Sequence, residues 1–355
     1  MNDEATLKIG LIAPPWVSVP PVGYGGSELM IDQLARALSA KGHEVTLFAT
    51  GDSTCPVKVE SVVDVAPGVH VGSSLVEMRQ VIEGYRAFAG FDIVHDHTTI
   101  GPVYARSEIA GPIVTTNHNL FVEPYLSVYR SQPNQIPVVA VSHAHARSAA
   151  EVSIETVGVI HHGIDLDDYP FGEDADDFAL VLGRMSPDKG IAEAITIARA
   201  AGIELRIGAK MADAMEVAYF DSAVRPHLGD DCVYLGELNQ REKREQLVRA
   251  RCLLNPITWN EPFGLAMIEA MACGTPVIAR QRGAVPEIIG SRDVGLTGES
   301  DADLVACFAR IGAIDRSTCR SHVGAHFSAD QMADAHLDLY RKIIREAKSP
   351  VVSPR

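Results

Sequence analysis

Short runs of aliphatic and β-branched residues alternate with stretches whose apolar positions recur every three or four residues, almost from end to end of the chain. That alternation predicts strands separated by helices, the signature of βαβ units and parallel sheets. In the first half the strand candidates are Lys8–Ala13, Glu44–Ala49, Val57–Val62, Asp92–His95, Pro112–Thr116, Pro137–Val141 and Thr156–Ile160. A Pro-rich stretch, Ala13–Val22, and a glycine loop, Gly23-Tyr24-Gly25-Gly26, follow the first of them. From Ser27, Met30, Leu34, Ala37 and Leu38 mark one face of a helix that Gly42 ends.

The turn-rich acidic segment Gly163–Asp177 interrupts the pattern and reads as a linker. The pattern then restarts at Phe178–Leu182 and continues through Glu204–Ile207, Cys232–Leu235, Cys252–Pro256, Pro276–Ala279 and Gly295–Thr297. Ser328–Ala347 is expected as a last amphipathic helix, N-capped by Ser328, with Met332, Ala335, Leu339 and Ile343 on its apolar face. Pro350–Arg355 is expected to be a disordered tail. The fold class is therefore α/β, with two doubly wound, Rossmann-like domains and a ligand site in the cleft between them at the carboxyl ends of the strands.

The length of 355 residues fits two domains, each able to bury a core. Forty-six acidic against 31 basic residues give a net charge of −15, which excludes a nucleic-acid binder working through a broad phosphate-neutralising surface. A small phosphorylated ligand stays compatible if cations and backbone N–H groups are concentrated at one spot. The six cysteines are scattered without metal-binding spacing and read as buried reduced thiols. Asp3 and Glu4 stand where a signal peptide would carry basic residues, and no apolar run approaches the roughly 20 residues of a membrane span. No basic amphipathic helix stands out, so stable membrane insertion is not expected and a cytoplasmic location is.

Three segments carry candidate chemistry. Glycines 23, 25 and 26 before a helix could bring N–H groups to an anion, or form only a tight turn. Glu28 stands where a dinucleotide fingerprint needs its third glycine, which argues against an NAD-dependent dehydrogenase in which Asp52 would bind ribose. In Gly183-Arg184-Met185-Ser186-Pro187-Asp188-Lys189-Gly190, a guanidinium fork and an ammonium at a strand end suit a diphosphate. The alternative is a solvated helix start capped near Asp188.

The third segment runs from Trp259 through Glu261, Phe263, Gly264 and Leu265 to Glu269. A helix opening near Gly264 would turn its free N–H groups and dipole toward phosphate oxygens. Glu261, just before it, would accept hydrogen bonds from sugar hydroxyls. Glu269, among apolar neighbours, needs a partner if buried. Either a ribose diol supplies one, or Glu269 is exposed or paired with an arginine. His95, Asp96, His97, Asn117, His118 and Asn119 cluster at strand ends without a clear third metal ligand. Asp165-x-Asp167 and Asp301-x-Asp303 fit turns and helix starts, so no metal is expected.

Gly-Gly-Ser-Glu at 25–28, Gly-Arg-x-Ser-Pro-x-Lys-Gly at 183–190 and Glu-Pro-Phe-Gly-Leu at 261–265, with a second glutamate eight positions after the first, resemble glycosyltransferase family 4. The resemblance implies retaining transfer on a GT-B fold and no cofactor beyond a nucleotide-diphosphate sugar, a UDP- or GDP-sugar. Residues 1–163 would form the acceptor-binding domain and 164–327 the donor-binding domain, with the helix at 328–348 packing back on the first.

It assigns Arg184 and Lys189 to the diphosphate, Gly25, Gly26, Gly264 and Leu265 to the phosphates, and Glu269 to ribose. Gly236, Glu237 and Leu238 would cradle the base, Phe263 belongs to the donor loop, and Glu261 and His118 would meet the transferred sugar. Arg184, Lys189, Glu261 and His118 would then be the catalytic set. Where many members carry Gly-Gly before Pro-Glu, this chain has Gly283-Ala284.

The acceptor, a hydroxyl compound, would meet Trp16 and Tyr24 together with Asn119–Gln135, where Phe121, Tyr125 and Tyr129 offer flat faces or else anchor the core. A non-catalytic sugar-nucleotide-binding protein is the alternative from another class. The sequence leaves donor sugar, acceptor and oligomeric state open.

Overall fold

The computed structural model describes residues 5–68, 74–108, 111–131 and 136–348, with side chains of 105–108 excepted. Asp3, Glu4, residues 132–135 of the aromatic segment and the 350–355 tail lie outside these described residues. The chain divides into two compact units. The first comprises Met1–Pro21, Gly25–Gly163 and Ala329–Arg355, and the second Val22–Tyr24 and Ile164–Ser328.

Seven strands form the sheet of the first unit: β1 (Lys8–Ile12), β2 (Glu44–Phe48), β3 (Lys58–Glu60), β4 (Ile93–Asp96), β5 (Ile113–Thr116), β6 (Val138–Ala140) and β7 (Thr156–Val159). All pair in parallel, in the order β3-β2-β1-β4-β5-β6-β7. Ile9, Leu11 and Ile12 are fully buried, as in a strand covered on both faces. The helix Gly26–Ala40 adds Met30, Ile31, Leu34 and Leu38 to this core.

The helix Ala329–Lys348 adds Met332, Ala333, Leu337, Tyr340 and Ile344 to the same core. Lys41 Nζ holds this helix at 2.6 Å from Asp330 and 2.7 Å from Asp334. Ala335, expected on its apolar face, is exposed instead, and His336 is buried. Met332, Leu339 and Ile343 are buried as expected, and only at Ala335 does the stripe differ, where the polar His336 takes the core position.

The second sheet contains β8 (Phe178–Arg184), β9 (Glu204–Lys210), β10 (Cys232–Gly236), β11 (Cys252–Asn255), β12 (Val277–Arg280) and β13 (Gly295–Gly298), in the order β10-β9-β8-β11-β12-β13. The expected linker 163–177 is built into this unit. Asp165 caps a turn at Leu166–Asp168, Tyr169 is buried, and Arg320 donates to the carbonyls of Leu166 (2.9 Å) and Tyr169 (2.8 Å).

All six cysteines are free, and five are buried. Among the described residues, no helix is long and apolar enough to cross a membrane. In each sheet the strand order reverses direction beside the first strand, between β1 and β4 and between β8 and β11. Such reversals leave a crevice at the carboxyl ends of doubly wound strands, where ligands bind.

Candidate active site

In the second unit the reversal brings the loops after β8 and β11 together. Arg184 ends β8 and is partly exposed; its Nη2 lies 3.0 Å from Asp188 and its Nη1 4.0 Å from Glu216. Glu216 is itself fixed by the capping box of the helix that opens after Asp213. Burial works against the guanidinium charge, but Asp188, Tyr24 and Glu216 outweigh it and hold the pKa above its ordinary value. Lys189 is buried. Its ammonium pairs with Glu261 and lies 5.4 Å from the centre of the Trp259 ring. Desolvation is again the largest influence on its pKa, overcome by the Glu261 carboxylate and Tyr24. The solvated helix start considered for this segment is therefore not what forms; both cations face carboxylates.

The helix Leu265–Ala272 opens immediately after Gly264, and no side chain caps it. Its first N–H groups are left to solvent or a ligand. Gly264 has φ 105°, and a Cβ there would lie 2.5 Å from Met267 Cε. Gly264→Ala is therefore expected to lose about 1–2 kcal/mol of stability to left-handed strain, read by chemical denaturation; an unchanged midpoint would contradict this geometry.

Gly283 has φ 52°, and a Cβ there would stand 2.4 Å from the carbonyl oxygen of Glu261. The Ala284 amide donates to that oxygen at 3.1 Å. Of the two positions where the family resemblance leads to an expectation of glycine, the one that needs it has it; Ala284 has φ −82° and is fully buried.

Glu269 is buried, and one carboxylate oxygen accepts from Tyr169 Oη (2.9 Å) and Lys243 Nζ (2.6 Å). The structure thus gives it a lysine and a tyrosine, neither exposure nor an arginine. Sequence reasoning missed both partners. Tyr169 sat in the supposed linker, and nothing local marks Lys243 as inward-facing on a polar helix.

Gly236 adopts φ 82°, and Leu238 packs where Gly208 has no side chain: a Cβ on Gly208 would lie 2.7 Å from Leu238 Cδ1. Glu237 accepts from the Tyr24 amide at 2.9 Å, and Gln240 Nε2 donates to the Gly23 carbonyl at 2.9 Å. The Tyr24 phenol helps to hold the Arg184 pKa up. It was expected beside Trp16 on an acceptor surface; the structure sets it among Arg184, Glu237 and Lys210 of the second unit. Val22–Tyr24 group with that unit.

In the first unit Gly25 caps the helix Gly26–Ala40, where a Cβ would press within 2.8 Å of Pro21. His97 follows β4 and His118 follows β5, with His97 Nδ1 3.1 Å from His118 Nε2. His95 is fully buried between Tyr340 Oη (2.6 Å) and Thr116 Oγ1 (2.7 Å). It is a satisfied structural residue. Burial holds His118 neutral, its pKa lowered to about 3.

Trp16 and Tyr125 are half-buried. Phe121 and Tyr129 are buried with Leu126, Val138 and Ile154, so these two are core anchors, not acceptor-facing rings. Asp165 and Asp303 sit at helix starts, and Asp301 pairs with Arg280. Asp52 accepts from the Ala66 amide at 3.2 Å, which occupies the carboxylate that a dehydrogenase would turn to ribose.

Two parallel sheets with this order and with motif residues at their reversal points define a two-domain, GT-B glycosyltransferase. Residues 24–168 match the glycosyltransferase family 4 and residues 170–310 the glycosyl transferases group 1. The chain belongs to the family 4 type of glycosyltransferase.

A phosphatidyl-myo-inositol mannosyltransferase of Mycolicibacterium smegmatis is 26% identical over 345 residues, spanning 89% of this chain and 86% of the relative. The sucrose-phosphate synthase of Thermosynechococcus elongatus superposes with a TM-score of 0.81 at 22% identity, covering 96% of this chain and 100% of that one. HepE of Anabaena, solved with UDP-glucose, gives 0.74 at 16% identity, covering 95% and 100%.

Proposed function

We propose that this glycosyltransferase moves a sugar from a UDP- or GDP-sugar to an acceptor hydroxyl with retention at the anomeric carbon. The observation that carries the reading is the convergence, at the reversal of the second sheet, of Arg184, Lys189 and the uncapped helix end at Gly264. Two cations and a helix dipole at one point suit a diphosphate whose charge grows as it leaves. Glu269 has one oxygen engaged by Tyr169 and Lys243, which leaves the other to a ribose diol, and Glu261 would meet the donor sugar. The HepE complex with UDP-glucose, on the same fold, supports a nucleotide-sugar donor.

Donor binding falls to the second unit and acceptor binding to the first. Lys189 exchanges Glu261 for phosphate when the donor binds. That exchange frees Glu261 for the sugar and places the ammonium against the developing charge. With Arg184, Lys189 and the helix end doing the electrostatic work, turnover is expected to persist in EDTA.

A thermal-shift screen of UDP-glucose and GDP-mannose tests donor binding, since a ligand at 100 Kd stabilises by about 2.7 kcal/mol. Release of UDP or GDP, with and without a myo-inositol-containing acceptor, then tests transfer; the relative's phosphatidyl-myo-inositol substrate makes that acceptor class the first choice. Retention is read from the anomeric configuration of the product. Loss of turnover in EDTA, restored by a divalent ion, would overturn the metal-free mechanism. Binding without release across acceptors would favour a non-catalytic binding protein.

A further inference from the structure

We propose that His97 is a positioning residue for His118, donating its Nδ1–H to His118 Nε2 and so fixing His118 as the tautomer that presents an Nδ1–H donor. This deepens, and rests on, the reading of His118 as the histidine nearest the transferred sugar.

The two rings stack at 5.4 Å with 29° between their planes, and the 3.1 Å contact between Nδ1 and Nε2 must contain one proton. His97 is buried, and its Nε2 meets no hydrogen-bond partner among the described residues. If His118 supplied the shared proton, neutral His97 would carry its own on Nε2, as an unpaired buried N–H. If His97 supplies it, only a lone pair is left there. Orphaned buried N–H groups are rarer than under-satisfied acceptors, which selects the second arrangement. Burial keeps both rings neutral, so neither escapes the choice by taking a second proton.

His97 has little freedom to turn. Its backbone N–H is bonded to Ile12 O at 3.0 Å, and its ring lies 4.0 Å from that of His95, which is pinned at both nitrogens. His118 is partly exposed and makes only this one hydrogen bond among the described residues. Its Nδ1–H is therefore available to a sugar hydroxyl. The bond made by one ring nitrogen decides the chemistry offered by the other.

Long-range 1H–15N correlation of the 15N-labelled full chain reads the tautomer directly, with assignment by comparison with His118→Gln. The expected result is an Nδ1–H His118 in the wild type. In His97→Leu, which has no donor, His118 should revert to the Nε2–H form that free imidazole favours. With UDP-glucose and GDP-mannose as donors, kcat should fall roughly tenfold in His97→Leu, the size of one neutral hydrogen bond, with the donor KM little changed. His97→Asn, whose amide N–H falls near Nδ1, should recover most of both signals.

A wild-type His118 in the Nε2–H form overturns the proposal, and that result does not depend on either His97 variant folding. So does a His97→Leu enzyme with unaltered tautomer and kcat. Should His118→Gln itself keep normal kcat, the reading beneath fails instead: His118 would not meet the sugar, and a tautomer set by His97 would have no catalytic consequence.

Discussion

Arg184→Ala is expected to lower kcat/KM by at least about 3 kcal/mol, more than a hundredfold, the lower end of what removing a charge-stabilising donor from a transition state costs. The guanidinium ends β8 beside the β8/β11 reversal, with Asp188 on one side and Glu216 on the other. Glu216 cannot swing away, because its second oxygen accepts from the Ala212 amide at 2.7 Å. The fork is thus oriented before any donor arrives, and little reorganisation is needed as charge moves onto the leaving diphosphate.

Arg184→Lys should recover only part of the loss, since an ammonium cannot offer two parallel N–H groups. Steady-state kinetics with the donor identified by thermal shift provide the check. A variant with near-normal turnover would remove Arg184 from the mechanism.

The second large effect is expected with acid. His145 and His336 are buried, and burial lowers the pKa of each to about 4. His95, His97 and His162 are also lowered, with desolvation again the first cause. In the unfolded chain these rings titrate near the ordinary 6.5. As the pH falls below that value the unfolded state takes up protons that the folded state refuses, so stability rises with pH throughout the window. It is fully present above about pH 6.5 and is lost progressively toward pH 4, at about 1.4 kcal/mol per pH unit for each ring.

Two buried carboxyl groups act in the opposite sense. Burial raises Asp96 to about 6 and also raises Glu77, so both take up a proton in the folded state first and recover some stability below pH 6. With His43 and His118 also lowered, seven histidines of the first unit outnumber them, and a domain holds only about 5–15 kcal/mol in all. The first unit should therefore unfold cooperatively near pH 5, while the second, without such a cluster, persists. Calorimetry between pH 7 and 5 should resolve the two transitions, and His336→Gln should flatten the slope of the lower one. A first transition that stays put across that range would contradict the assignment of neutral, buried rings.

The strands were legible because burial on both faces writes itself into continuous apolar runs. Each observed strand lies within three residues of its expected ends, and the largest differences have a cause. β8 and β9 run on to Arg184 and Lys210 because polar residues at a sheet's functional edge keep strand geometry after the apolar run stops. β3 is shorter than Val57–Val62 because it is an edge strand.

The motif residues of the second unit were legible as types at strand ends. Their partners were not. Lys243 and Tyr169 on Glu269, Glu216 on Arg184 and the His97–His118 bond are polar contacts between segments distant in sequence, and no periodicity records them. His336 went unseen because a polar side chain at a core position breaks the apolar stripe, and Phe121 and Tyr129 were open to two readings because an aromatic side chain looks alike in a core and on a binding face.

The helix Ala329–Lys348 belongs to the core of the first unit although the whole of the second unit is encoded between them. During synthesis at about 5–20 residues per second, the amino-terminal sheet must wait on the order of 10–30 s for the helix that completes its core with Met332, Leu337, Tyr340 and Ile344. For that interval the nascent first unit presents an unclosed apolar face, while the second can complete itself as soon as Ser328 emerges. A ribosome stalled between the two events would display a finished second unit behind an unfinished first. The order of maturation in this chain therefore runs opposite to the order of its codons.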